Sequence, residues 1–225
     1  MGIIGVTFGD KHSYYDWHVY LDGGLQIEYP TPRRITVDVA LRNGLLDVTS
    51  ALTDRILYES RKITANFKII DNPLPWQDVY SKIAGDVHGK ALHIIYDLDP
   101  DFYWDAYDCI VNTPTASEDV GSISITCTCY PFKKERIEKS VVQAVTGDVN
   151  SYVDLTIENL REEISPTIRC TADARIRFNG GTRYELSTGD NILSDVALIP
   201  GTNVLRLIRY NSNVTFTITY RRGEL

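Results

Sequence analysis

The alternation of apolar and polar positions is clearest between residues 121 and 133, where it predicts a half-buried β-strand. One face carries an apolar row, formed by Ile123, Ile125, Cys127 and Cys129. Pro131 has no backbone N–H to donate, so we expect the strand to end there. A charged run at 133–136 follows, and nothing in the next dozen residues can anchor a core. The pattern predicts the last strand of a first domain, followed by the start of a linker.

The residues before this strand predict further strands and turns. Apolar runs that predict strands lie at residues 3–8, 17–21, 36–40 and 62–70, of which the last two alternate, and two more runs lie at 91–96 and 103–111. The sequence Asp22-Gly23-Gly24 is a strong turn signal after the second run, and Arg42-Asn43-Gly44 is another. The last two runs form a predicted hairpin with its turn at 97–101, and a polar turn is expected at 112–121.

One helix is predicted, because apolar residues recur at helical spacing after the Pro73-Leu74-Pro75 break. The stripe consists of Trp76, Val79, Tyr80, Ile83, Ala84 and Val87. Gly89 stands where a left-handed C-cap is expected. Gly85, inside the helix, suggests that a neighbouring backbone approaches closely.

The C-terminal part reads as strands alone. Seven short candidates lie at residues 153–158, 167–172, 175–178, 183–186, 191–198, 203–209 and 214–220, with turn-rich connectors between them. This spacing without a helix predicts a β-sandwich. The fold class is therefore mainly β with one helix, in two domains at residues 1–138 and 139–225.

Composition and charge argue against some classes of function. A formal net charge of −7 argues against tight binding to nucleic-acid phosphates, which requires clustered Lys and Arg. No apolar run is long enough to span a membrane, and the N-terminus has no basic-then-apolar signal pattern. We therefore expect a soluble protein made in the cytosol. The four scattered cysteines do not suggest a disulfide framework.

Two motifs are candidate metal sites, and each also has a simpler interpretation. Cys127 and Cys129 point the same way from one strand and could hold zinc, but a structural site needs four ligands, usually with a second close pair. Core packing is the favoured interpretation. Asp97, Asp99 and Asp101 resemble the opening of a calcium loop, but Phe102 stands where an EF-hand requires glycine. A solvated hairpin turn is favoured there.

The sequence contains no clear catalytic motif. His18 and His93 are predicted within strands, His88 in the last helical turn, and His12 in a turn, without metal spacing or a nearby nucleophile motif. We assign no catalytic, cofactor-binding or metal-binding residue and expect a protein that is not an enzyme. Sugar binding by the sandwich is an alternative, with Tyr152, Tyr184 and Tyr210 as available aromatic rings; Tyr184 is expected to be packed.

Several motifs, taken in order, resemble the distal tail protein (Dit) family of siphophages. The sequence Arg-Asn-Gly-Leu-Leu-Asp-Val-Thr-Ser-Ala-Leu at 42–52 is similar to the family signature Arg-Asp-Gly-x-Leu-Asp-Leu-Thr-x-x-Leu, with Asn43 in place of the usual Asp. The other matching segments are 8–13 with Trp17, 57–63, 88–90, 99–103 and 129–133. The match covers residues 1–135 well. Segments 175–179, 200–203 and 219–225 look like the family's galectin-like sandwich.

The resemblance implies a structural role at the phage tail tip. Members form a homo-hexameric ring through a β-sandwich-like N-terminal domain, which joins the tail tube protein to the tail-tip (tail-associated) protein. The galectin-like sandwich projects outward and carries receptor-binding proteins in many relatives. DNA passes through the ring without specific binding, and an acidic lumen would suit that passage. The implied location is the virion tail tip, after assembly in the bacterial host cytoplasm. The alternative is a carbohydrate-binding adhesion protein acting through the C-terminal sandwich.

Overall fold

The computed structural model describes residues 3–52, 56–116 and 121–225. Two compact units are present, Met1–Lys133 and Lys134–Leu225. Lys134 and Glu135, at the start of the second unit, make contacts within it. Lys134 pairs with Glu162 at 3.4 Å, and Glu135 accepts a 2.9 Å hydrogen bond from Nε of Arg222.

The first unit is mainly β. Its described strands are β1 (Val6–Phe8), β2 (Lys11–His12), β3 (Tyr20–Ile27), β4 (Thr36–Val37), β5 (Leu46–Asp47), β6 (Arg61–Ile69), β7 (Leu92–Tyr96), β8 (Asp99–Val111), β9 (Thr115–Ala116) and β10 (Gly121–Glu135), and its helices are α1 (Thr49–Leu52) and α2 (Trp76–Val87). The main sheet has the order β2-β1-β7-β8-β10-β6-β3, and β9 also pairs with β10. The polar turn expected at 112–121 falls partly outside the described residues.

The core of this unit follows the period-two rows of its central strands. In the antiparallel β6–β10 ladder, Ile63 stands opposite Cys127, and Phe67 opposite Ile123. These residues are buried, as are Val79, Ile83 and Val87 of α2. Gly121 lies where α2 begins, since a Cβ there would come within 3.2 Å of the Trp76 Cβ. The strand at 121–130, the strand at 62–70 and the long helix are thus confirmed.

Three predictions about turns and strand ends in this unit were wrong. Asp22-Gly23-Gly24 does not end a strand but forms a bulge within β3, with Gly23 and Gly24 at φ of 74° and 80°. The β7–β8 turn is shorter than expected, because Tyr96 already pairs with Asp99. β10 continues beyond Pro131. Its ladder with β6 ends at Cys129, opposite Arg61, so β6 requires no N–H from Pro131.

The helix ends largely as its sequence predicts. The N–H of His88 donates to the Ala84 carbonyl, and Gly89 follows with φ of 69°. The expectation for Gly85 was wrong: it is exposed, and a Cβ built there meets no atom within 4 Å. Gly85 therefore carries the helix-propensity cost of glycine without making room for a neighbour.

The second unit is a β-sandwich. It contains β11 (Lys139–Val145), β12 (Tyr152–Asn159), β13 (Thr167–Cys170), β14 (Ala174–Phe178), β15 (Arg183–Leu186), β16 (Gly189–Ile192), β17 (Gly201–Arg209), β18 (Val214–Tyr220) and β19 (Gly223–Glu224). Two four-stranded sheets have the orders β11-β18-β13-β16 and β12-β17-β14-β15. Their inner faces share one core, to which Ile168 and Phe216 contribute from the first sheet and Ile176 and Leu205 from the second.

Two predictions in this unit were wrong. The segment treated as a linker contains β11, which pairs with β18 along its whole length, although only Val145 in β11 is fully buried. The strand expected at 191–198 is shorter and begins earlier, as β16. The Asn191 side chain closes the turn at its start, since Oδ1 accepts from the N–H of Ser187 at 3.1 Å and Nδ2 donates to the Ser187 carbonyl at 2.8 Å.

Candidate functional site

A segment of the first unit, residues 29–49, stands out from the rest of the described chain because nearly all of its residues are exposed. We call it the arm. Every residue from 31 to 45 is exposed. Its large apolar side chains are nevertheless numerous, with Tyr29 exposed at 86%, Leu41 at 109% and Leu45 at 63%. Ile35, Val37 and Val39 are exposed as well. Residues 36–40 were predicted to form a strand, and of these only Thr36 and Val37 do so, in β4.

Backbone hydrogen bonds give the arm its form. The N–H of Arg33 donates to the Leu57 carbonyl at 2.7 Å, and the N–H of Glu59 donates to the Thr31 carbonyl at 2.8 Å. Farther out, β4 and β5 pair through Thr36 opposite Asp47. The arm is thus a hydrogen-bonded ribbon.

Asp47 holds the far part of the arm together. It accepts a 2.9 Å hydrogen bond from the N–H of Thr49 and also contacts the Arg34 guanidinium. Hydrogen bonds from Thr49, with the Arg34 contact, lower the pKa of Asp47 to about 2. The Thr49 hydroxyl in turn accepts from the N–H of Ile35 at 2.8 Å.

The arm has the properties of a protein contact surface. An isolated two-stranded ribbon is marginally stable in water. Contiguous exposed apolar side chains mark places where a protein meets a partner. Sequence analysis placed a family signature at 42–52 but did not detect this surface, because alternating apolar residues look the same whether they face a core or a partner.

His12, Ser13 and Asp97 lie close together, as the members of a catalytic triad would. Their hydrogen bonds, however, are not those of a catalytic triad. His12 Nδ1 accepts from the N–H of Tyr14 at 3.1 Å, which leaves Nε2 to donate to Asp97 Oδ2 at 3.1 Å. Ser13 is fully buried, and its hydroxyl accepts from the N–H of Val6. Neither imidazole nitrogen is available to take a proton from Ser13. The contacts close the turn between β1 and β2.

The other histidines are dispersed. His18 lies outside the strands, with φ of 54°, so its placement in a strand was wrong. His88 follows α2 directly, and its Nδ1 accepts from the N–H of Val111 at 3.1 Å. His93 lies in β7, as predicted, with its ring 4.4 Å from that of Tyr103.

The acidic and cysteine side chains considered as metal ligands make contacts within the fold. Asp97 accepts from the Gly5 N–H at 2.7 Å, whereas Asp99 pairs with Lys133 at 2.8 Å, so these carboxylates serve different contacts. Cys127 and Cys129 are buried in the core, which confirms the packing interpretation. Burial raises the pKa of Cys129 to about 12. Within residues 3–52, 56–116 and 121–225, no group of three His, Cys, Asp or Glu side chains could hold a metal ion.

The tyrosines considered for sugar binding have distinct environments. Tyr184 packs against the sandwich core, as expected. Tyr152 is 54% exposed and Tyr210 37%. Each of these two rings has an arginine over it, since Arg206 lies 4.1 Å from the Tyr152 centroid and Arg175 lies 4.0 Å from that of Tyr210.

The two-unit, mainly β architecture can be compared with those of known proteins. No family model matches the sequence, and no curated protein resembles it. Among solved structures, the chain is similar to the crystal structure of the Dit protein (gp 19.1) of SPP1, with a TM-score of 0.64 and 11% sequence identity. The match covers 98% of this chain and 99% of the other. That protein is described as a paradigm of the hub adsorption apparatus in phages that infect Gram-positive bacteria.

The resemblance stated from the sequence motifs is therefore confirmed at the level of the fold. The mainly β fold class is confirmed as well. In the described part of the chain, no helix is long and apolar enough to cross a bilayer.

Proposed function

We propose that the chain is a structural, non-enzymatic hub protein of a phage tail tip. In this proposal six copies form a ring through the first unit, which joins the tail tube protein to the tail-tip protein. The second unit, as a galectin-like sandwich, supports host-attachment components such as a receptor-binding protein. The fold shared with the SPP1 hub protein supports the class of function. The exposed apolar arm forms the contact between copies, because its apolar side chains need another protein surface to cover them.

Charge distribution supports the passage of DNA through such a ring. The first unit has 11 Lys and Arg against 18 Asp and Glu, and the second has 12 of each, so the net charge of −7 lies in the first unit. A ring built from an acidic unit would not hold phosphates electrostatically. A basic lumen in the assembled ring would contradict this part of the proposal.

The arm gives a direct test of the ring. We expect light scattering to show a particle of six 25.4 kDa chains, about 152 kDa, and negative-stain images to show a central hole. The double variant Leu41→Asp with Leu45→Asp should remain folded and become monomeric, because charged side chains would oppose burial of the arm. Leu98→Asp is the matched control, since Leu98 is 63% exposed in a turn of the same unit.

Two results would contradict the proposal. A wild-type chain that stays monomeric at high concentration, and also when the tail-tip protein is added, would exclude the ring. A ring that persists in the double variant would exclude the arm as its contact. The carbohydrate-binding alternative has exposed Tyr152 and Tyr210 in its favour, and a glycan array with the full chain tests it.

A further inference from the structure

Three arginines lie side by side on the outward face of the second sandwich sheet. In the strand register, Arg206 of β17 stands opposite Arg177 of β14, and Arg177 stands opposite Arg183 of β15. Asp154 of β12 stands at the other side of Arg206. The row therefore contains three cations and one anion. Like charges directly opposite one another destabilise a sheet, so this arrangement has a cost in the unliganded protein.

Most of the hydrogen-bonding capacity of this row is unused within the chain. Asp154 engages Nε and Nη2 of Arg206 at 2.7 and 2.8 Å, which leaves Nη1. Arg177 uses Nε to donate to the Gly181 carbonyl at 2.7 Å, which leaves both Nη groups. Neither Arg177 nor Arg183 has an ion pair with the part of the chain that the structure describes. Arg175, one row away, differs because it pairs with Glu185 at 2.7 Å.

A cavity opens at this row. Its volume is about 180 Å³, and it is lined by Asp154, Arg177, Gly180, Val204 and Arg206. Gly180 lies at the β14–β15 turn with φ of 74°, and nothing lies within 4 Å of the position of a Cβ there. The cavity is thus open to solvent beside the two guanidinium groups.

We propose that this cavity binds a phosphate group. The charged groups that line the cavity, Arg177, Arg206 and Asp154, have a net charge of +1, and Arg183 beside Arg177 brings the row to +2. A phosphate monoester carries about −1.5 to −2 at neutral pH. Two guanidinium groups that approach from adjacent strands can each donate to different oxygens of a tetrahedral anion, whereas one fork suffices for a planar carboxylate. Free phosphate and a phosphorylated sugar share this chemistry. The inference does not depend on the ring.

The test is a titration of the full-length protein followed by amide NMR signals at low ionic strength. The probes are inorganic phosphate, glucose 1-phosphate, glucose and acetate. We expect both phosphates to shift the signals of Arg177, Gly180 and Arg206, and acetate and glucose to leave them unchanged. Tighter binding of glucose 1-phosphate than of phosphate would assign the site to a phosphorylated sugar, and equal affinity to free phosphate.

Variants separate the site from general charge effects. Arg177→Gln should weaken phosphate binding about tenfold or more, because a charge-assisted pair is lost. Arg169→Gln is the matched control: its side chain is 70% exposed on the opposite sheet, and the change in net charge is the same. Equal loss in both variants, equal shifts with acetate, or binding of glucose as tight as that of its phosphate would each overturn the proposal.

Discussion

Gly223 is a residue at which two segments of the second unit come close together. The N–H groups of Arg161 and Glu162 both donate to its carbonyl, at 3.0 and 3.1 Å. The Glu162 side chain occupies the space beside the Gly223 Cα, and burial raises the pKa of that carboxyl. A residue without a Cβ is therefore required at this position.

Gly223→Ala should destabilise the second unit. The new Cβ would overlap with Glu162 Oε2 and lie 2.8 Å from the Glu162 Cβ, so the buried side chain must move. Overpacking of this kind costs about 1–3 kcal/mol, which thermal and denaturant unfolding would detect. Gly85→Ala is the opposite case, because its site is open and helical, and we expect a gain of about 1 kcal/mol. An unchanged Gly223→Ala variant would show that the close contact is absent.

Asp47 makes the arm sensitive to acid. Its pKa is lowered from 3.8 to about 2, so it favours the folded arm at pH above 3.8. That contribution is lost as pH falls from 3.8 through about 2. We expect the amide signal of Thr49 to stay constant between pH 7 and 4 and to shift below that range. Asp47→Asn should remove the transition, and a transition that survives in this variant would assign it to another group.

At the scale of elements, β11 illustrates a strand stabilised mainly by its backbone ladder. Val145→Ala should cost about 2 kcal/mol, because this side chain is 1% exposed and anchors the strand in the core. Val142→Ala is the control in the same strand, since Val142 is 64% exposed, and its effect should stay within about 0.5 kcal/mol. Chemical denaturation of both variants gives the comparison. Equal effects would mean that β11 is not docked as described.

Elements with one buried face could be predicted from the sequence. In β6, β10 and α2, periodic apolar residues coincide with the buried positions, because burial of one face forces that period. β11 was missed because its apolar residues, Val141, Val142, Ala144 and Val145, do not alternate regularly, and only Val145 is fully buried. The β3 bulge was missed because two glycines in positive-φ conformations serve a bulge as well as a turn.

The candidate surfaces were less predictable than the fold. Arg177 and Arg206 lie 29 positions apart, and only the strand register brings them together. The arm has the alternation of a half-buried strand, and its exposure depends on the absence of a second layer over it. Both features arise from tertiary placement, which local sequence patterns do not encode.

At the scale of the whole molecule, the boundary between the units can be tested with fragments. Residues 134–225 should fold alone, because they include Glu135, which Arg222 contacts, and Lys134, which pairs with Glu162. Residues 139–225 lack both and should be less stable by at least about 1 kcal/mol. Circular dichroism melts and amide NMR spectra of the two fragments make the comparison. Equal stability would favour the boundary at 138.

The arm also determines how a ring would form. If it docks on a different surface of the next copy, the contact is head-to-tail, and such contacts close into rings when the rotation allows it. An open chain of n copies has n − 1 contacts, and the closed ring has n. The last contact forms within one particle, at high effective concentration, and requires no further loss of translational freedom. Partial rings would therefore be scarce, and assembly would switch from free chains to complete rings over a narrow range of concentration.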